Sequence, residues 1–135
     1  MFKKVHAFRV KPDKELLTEI NQYCNKYNIS SGVVIGIIGS LKSATLNYLI
    51  DLPGKYEGVD YQGPLEIACA QGSVAMKDKS PIIHIHIQLS TRGGCYGGHL
   101  ATAIIFSTAE VIIGELDYQL KRQLDSDTGL NELTS

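Results

Sequence analysis

Three of the four histidines lie where one β-hairpin could carry them to a common point. His84 and His86 stand in Ile83-His84-Ile85-His86-Ile87, and His99 follows Gly97-Gly98. Side chains alternate between faces along a strand, so His84 and His86 share one face while Ile83, Ile85 and Ile87 share the other. Between the two runs, Thr91-Arg92-Gly93-Gly94 carries strong turn signals. A two-residue loop at Arg92-Gly93 sets His86 opposite His99. A loop at Gly93-Gly94 sets His99 opposite Gln88 and diagonal to His86. Both registers bring the three imidazoles to one face, with opposed Cβ atoms roughly 4.5–5.5 Å apart. A three-residue loop would turn His99 to the far face.

Three neutral imidazoles with an open fourth position are a familiar way to hold zinc. Zinc on His84, His86 and His99 is therefore the expected cofactor, with water, a small anion or a substrate as the fourth ligand. His86 is expected to be the middle ligand, nearest to both others. The plainer alternative is a pair of polar residues on a solvated strand face, and His99 at a compatible register favours the metal. His6, in Val5-His6-Ala7-Phe8, reads as an ordinary strand residue.

Two acids interrupt apolar sequence. Glu66 lies in an otherwise uncharged stretch from Gln62 to Met76, and Glu110 is the only charged residue between Arg92 and Glu115. Either could support a metal ligand or act as a general base. Either could equally be paired at a subunit contact or point to water. Gly36-Ile37-Ile38-Gly39-Ser40-Leu41 has neither a Walker lysine nor the Gly-x-Gly-x-x-Gly spacing, so its glycines are assigned to a bulge or tight corner, with an anion nest as the other reading. Cys24, Cys69 and Cys95 show no Cys-x-x-Cys spacing and read as reduced and mostly buried. Cys95 lies four strand positions from His99, about 13 Å along a continuous strand, and is left out of the site.

The elements that must position these residues can be read from periodicity. Residues 3–10 alternate as a strand. Asp13 is the expected N-cap of a helix whose apolar stripe is Leu16, Leu17, Ile20, Cys24 and Tyr27, ended by Asn28. Apolar or alternating runs at 31–38, 44–51, 56–63 and 65–76 read as strands. A turn at 76–81 leads into the first histidine strand, a returning strand covers about 99–105, and 110–124 supplies a last, long or bent strand. Residues 125–129 form a turn before a short tail. This pattern predicts an α+β fold, a mainly antiparallel sheet of about seven strands with one main helix packed on it.

At 135 residues and 44% hydrophobic content, the chain is expected to form one domain spanning 1–135. A net charge of −1 provides no global basic field for nucleic acid. No apolar run reaches the roughly 18 residues of a membrane span, and the N-terminus lacks a signal-peptide apolar block, so a cytoplasmic location without membrane contact is expected.

The blocks Gly36-Ile37-Ile38-Gly39-Ser40-Leu41, Tyr61-Gln62-Gly63-Pro64-Leu65-Glu66-Ile67, Pro81-Ile82-Ile83-His84-Ile85-His86, Gly97-Gly98-His99-Leu100 and Ala109-Glu110-Val111 occur in an order that resembles the plants-and-prokaryotes-conserved (PPC) domain. The likeness covers nearly the whole chain and is to prokaryotic stand-alone members. It implies a compact α+β subunit, a homotrimer, and a metal site on His84, His86 and His99. In plants such domains follow an Arg-Gly-Arg-Pro segment that enters the minor groove of A·T-rich DNA. This sequence has only Arg9, Arg92 and Arg122 and no Arg-Gly-Arg-Pro, so that groove-reading element is absent.

Two functions are compatible with these residues. One is a small metal-binding module with a DNA-associated or regulatory role. The other is a zinc-dependent enzyme acting on a small molecule. Self-association has a hint of its own: the apolar runs 31–38, 65–70 and 100–106 are more than one helix at 13–28 can shield.

Overall fold

A computed structural model describes residues 1–134. Among these residues the protein is mainly β, with seven strands in one sheet and one short helix. The strands are β1 (Phe2–Val10), β2 (Gly32–Asp51), β3 (Lys55–Lys77), β4 (Ser80–Thr91), β5 (Gly94–Leu116), β6 (Lys121–Leu124) and β7 (Asn131–Thr134); helix α1 (Leu16–Lys26) follows β1. All pairings are antiparallel except a single parallel bridge from Met76 of β3 to Lys121 of β6.

Several short strands expected from the sequence are segments of longer ones. The runs 31–38 and 44–51 merge into β2, and 56–63 and 65–76 merge into β3. The expected last strand at 110–124 is split: its first part is the far end of β5, and Lys121–Leu124 is separate. The glycines assigned to a bulge or tight corner are that, but they bend a strand that continues rather than separating two. β2 carries shifts at Val34/Gly36, Gly39/Leu41, Leu41/Ser43 and Thr45/Leu46 against β5. At Gly39, with φ +157, an added Cβ would lie 2.0 Å from the Thr108 carbonyl oxygen, so the corner there needs a glycine.

The bends let the sheet close on itself. β2 pairs both β3 and β5, and β4 also pairs both β3 and β5, so these four strands form a ring. Leu41, Leu46, Leu65, Ile85, Leu89 and Ile105 are fully buried in the core. Helix α1 packs against β4 and β5 and buries Leu16, Ile20 and Cys24. Tyr27 is not part of that stripe; it is the C-cap residue and 46% exposed. Beyond it, Asn28 adopts φ 55, and the Ile29 and Asn28 amides donate to the Cys24 and Asn25 carbonyls at 2.8 and 3.3 Å, closing the helix.

The N-cap is Glu15 rather than Asp13. Asp13 has φ 68, its amide donates to the Ile105 carbonyl at 3.0 Å, and its carboxylate pairs with Lys42. This tie to β5 delays the helix, and the longer Glu15 side chain then accepts from the Leu17 and Thr18 amides at 3.1 and 2.7 Å. It also accepts from the Ala103 amide at 3.1 Å, which joins the helix start to β5.

Candidate metal centre

The hairpin loop is Arg92-Gly93, since β4 ends at Thr91 and β5 starts at Gly94. That loop gives the first of the two expected registers, with His86 paired to His99. The isoleucine face of β4 is anchored as its alternation demands: Ile85 and Ile87 are buried and Ile83 packs against the same core. His84 and His99 are half-buried and His86 is exposed. One ring nitrogen from each of His84, His86 and His99 lies within 4.8 Å of the other two. Three imidazoles have thus been gathered by a strand pair that is rigid on its opposite face.

Ring positions correct one expectation. His84, not His86, is nearest to both others: its centroid is 4.9 Å from His99 and 5.1 Å from His86, while His86 and His99 are 5.6 Å apart. The pairing of β4 with β5 explains this. It stops at His86/His99, and from there β5 leaves β4 to pair with β2, His99 facing Asn47. Strand twist at that fork turns the diagonal pair inward and leaves the directly opposed His86 toward solvent.

The fork also admits a residue that periodicity did not single out. β6 places Arg122 over His84, with Nη2 donating to Ser73 Oγ at 2.9 Å and lying 3.3 Å from His84 Nδ1. Nη1 donates to the Asn131 carbonyl at 2.9 Å. Ser73 is itself the β3 residue opposite His84. A four-residue strand carrying Lys121-Arg122-Gln123 gives almost no sequence signal, and only the placement of β6 beside β3, where Lys121 bridges Met76, puts its arginine at the site.

The electrostatics favour neutral imidazole. Burial, then the neighbouring His99, Arg122 and His86, lower His84 to about 4. Burial, then His86 and Arg122, also lower His99. A neutral imidazole offers the lone pair a metal requires, so this environment removes the proton that would compete. Tetrahedral zinc at about 2.0–2.1 Å from each nitrogen needs N···N distances near 3.3 Å, within reach of small rotations of rings already this close. The donor set fits zinc.

Neither acid singled out in the sequence is at this centre. Glu66 is exposed on β3 between Ser40 and Ser90, five positions from Gln71, the residue facing His86; that is about 16 Å along the strand. Glu110 is exposed between Arg9 and Ile38. The cysteines also differ from expectation. Cys24 is buried, but Cys69 and Cys95 are exposed. A bulge between Ile67 and Cys69 shifts the strand's alternation and turns Cys69 outward. Cys95 pairs with Ser90, far along the hairpin from His99.

His6 is more than an ordinary strand residue. It is 5% exposed, with Nε2 at 3.0 Å from Glu115 Oε2 and Nδ1 at 3.4 Å from the Tyr23 hydroxyl. Lys3 reaches the other Glu115 oxygen at 2.8 Å. Among the described residues no helix is long and apolar enough to cross a membrane.

Against known proteins, this fold and sequence have clear relatives. The chain belongs to the Plants and Prokaryotes Conserved (PCC) domain family, whose model matches residues 1–117. It is similar to the crystal structure of a metal-containing protein from Archaeoglobus fulgidus: 31% identical, TM-score 0.93, covering 100% of this chain and 96% of that one. It is also similar to a plant- and prokaryote-conserved protein from Pyrococcus horikoshii, at 26% identity and TM-score 0.90 over 100% and 94% of the two chains. A bifunctional GlmU protein from Synechococcus sp. (strain JA-3-3Ab) is 30% identical over 133 residues, 96% of this chain. The chain spans about a fifth of the length of such curated relatives.

Proposed function

We propose that this protein is a zinc-binding module of its family, with His84, His86 and His99 as three ligands and a fourth position open to water or a small ligand. The observation that carries this reading is the gathering of three imidazole nitrogens within 4.8 Å, two of them on rings whose surroundings disfavour protonation. The metal-containing A. fulgidus relative, similar over 96% of its length, supports it. Bound zinc would supply a Lewis-acid position facing solvent. The chain's own part is to hold three neutral rings on a strand whose other face is locked into the core.

The same reading makes the module a homotrimer. Ile35, Ile38 and Phe106 are 43%, 64% and 49% exposed, a set of large apolar side chains on β2 and β5 that a cyclic assembly would bury. Light scattering should give about three times the 14.8 kDa chain mass, and a value at 14.8 kDa refutes the trimer. A DNA-associated or regulatory role belongs to this proposal. DNA binding would appear at about 50 mM salt and weaken steeply as salt rises; no binding there removes DNA from the account.

Metal content is the direct test. Protein purified without chelator, incubated with excess zinc and desalted, should retain one zinc per chain, and His84→Ala should retain far less. Zinc well below one per chain in the parent, or equal zinc in the variant, overturns the three-histidine site.

A second reading, a zinc-dependent enzyme acting on a small molecule, is favoured by one feature. A cavity of about 250 Å³ opens beside His84 and His99. Turnover abolished by chelator and restored by zinc would establish it.

A further inference from the structure

β6 is built the wrong way round for a structural strand. It buries Arg122, which is 8% exposed, and leaves Leu124 69% exposed. A buried guanidinium is costly unless a counter-charge meets it. Among the described residues Arg122 has no carboxylate partner: the ion pairs are Met1–Asp117, Lys3–Glu115, His6–Glu115 and Lys42–Asp13. Its Nε is buried with no hydrogen-bond partner among the described residues. Ser73, Asn131 and His84 hold the other nitrogens, all through neutral acceptors.

The cation lines the cavity beside the histidines, together with His84, His99 and the apolar side chains of Tyr56, Ile82, Ile83 and Leu130. Glu132 also lines this space, with Oε1 accepting from the Thr128 hydroxyl at 3.3 Å.

One bond in this arrangement does not survive metal loading. Arginine is always a donor, so His84 Nδ1 must be the acceptor in their 3.3 Å contact. A metal on Nδ1 takes the same lone pair. A metal on Nε2 leaves a hydrogen on Nδ1, facing a donor. In both cases Nη2 loses an acceptor while Nε already lacks one. A metal cation then stands beside a guanidinium with free N–H groups, in a cavity too small for a macromolecule.

We propose that this cavity takes a short-chain carboxylate, and this rests on the zinc reading above. One carboxylate oxygen is held by Arg122, the other lies at the metal's open position, and the tail lies against Ile82, Ile83, Leu130 and Tyr56. The guanidinium supplies the counter-charge and a charge-assisted hydrogen bond to one oxygen, and the apolar wall favours an organic acid over inorganic phosphate.

The test uses cobalt in place of zinc and follows the visible absorption of the metal, with no activity needed. Cobalt content is measured first. With cobalt bound, butyrate should shift the spectrum saturably, butyramide and inorganic phosphate at least ten-fold more weakly. Arg122→Gln should take up cobalt as the parent does and weaken butyrate at least ten-fold, removing its advantage over butyramide; Arg122→Lys should lie between. If Arg122→Gln does not fold, the butyrate-to-butyramide ratio in the parent decides. Cobalt bound with no butyrate response, phosphate tighter than butyrate, or equal butyrate affinity in Arg122→Gln overturns the carboxylate site and leaves the metal reading standing. No cobalt uptake overturns both.

Discussion

His6 and the His84, His86 and His99 group show how neighbours decide what a histidine can do. His6 is the more buried, yet it sits between the Tyr23 hydroxyl and the Glu115 carboxylate, whose other oxygen accepts from Lys3. Every polar atom there has a partner within the chain. The three clustered histidines face one another and a cation, with no carboxylate among their hydrogen-bond partners in the described residues. The first arrangement is closed and ties β1 to β5. The second is left wanting electron-pair acceptors and negative charge, which is what a metal and an anion supply.

If the two regions differ in this way, damage to each should be read out differently. The largest effect is expected from the scaffold beneath the cluster. Ile85→Ala should cost about 2–5 kcal/mol in denaturant unfolding, since Ile85 is fully buried, while folded protein still binds zinc. His84→Ala should do the reverse. Stability of the metal-free protein should change little, and zinc affinity measured against a competing chelator should fall by roughly a hundred-fold or more, a larger loss than for His86→Ala, because losing even an outer partner of a ligand typically costs 10–100-fold. Equal losses in the two variants would contradict the central place given to His84.

Glu115→Gln should leave zinc affinity unchanged and cost about 1–3 kcal/mol of stability by unpairing His6 and Lys3. Hydrogen bonds from Lys3 and His6 hold the Glu115 carboxyl below its ordinary value. A lowered carboxylate contributes stability above its unfolded value, and that contribution is lost as pH falls through the folded one. Urea midpoints of the parent should therefore decline more steeply below about pH 4.5 than those of Glu115→Gln. A smaller effect separates the clustered histidines. With His84 lowered to about 4 by burial first, protons compete for it only well below the ordinary 6.5. Zinc release on acidification should be centred below pH 6.5, and the metal-free protein should lose stability from 6.5 downward as the unfolded chain takes up protons the folded one refuses. Release centred above 6.5 would contradict this.

The hairpin and its three histidines were legible because strand alternation and a Thr-Arg-Gly-Gly turn are local facts. A two-residue loop then leaves little freedom in register. The helix was legible in its stripe and not in its start, because Asp13 is tied to Ile105 and Lys42, far off in sequence. Strand ends were misplaced wherever a bulge kept the chain going, as at Leu41/Ser43 in β2. Arg122 was invisible for a different reason: its role comes from β6 meeting β3 at Met76, which sets the guanidinium against Ser73 and His84, and no spacing within residues 121–124 encodes that meeting. Burial of His6 likewise depends on β5 delivering Glu115 from more than a hundred residues away.

The central claim is that zinc sits on His84, His86 and His99. Crystals of the zinc-loaded protein measured on both sides of the zinc absorption edge locate the metal without assumptions about affinity or activity. The account predicts one anomalous peak per chain, about 2.0–2.1 Å from a nitrogen of each of the three rings, with His84 the most enclosed ligand. Bound zinc located elsewhere, or coordinated by His86 and His99 without His84, would contradict it.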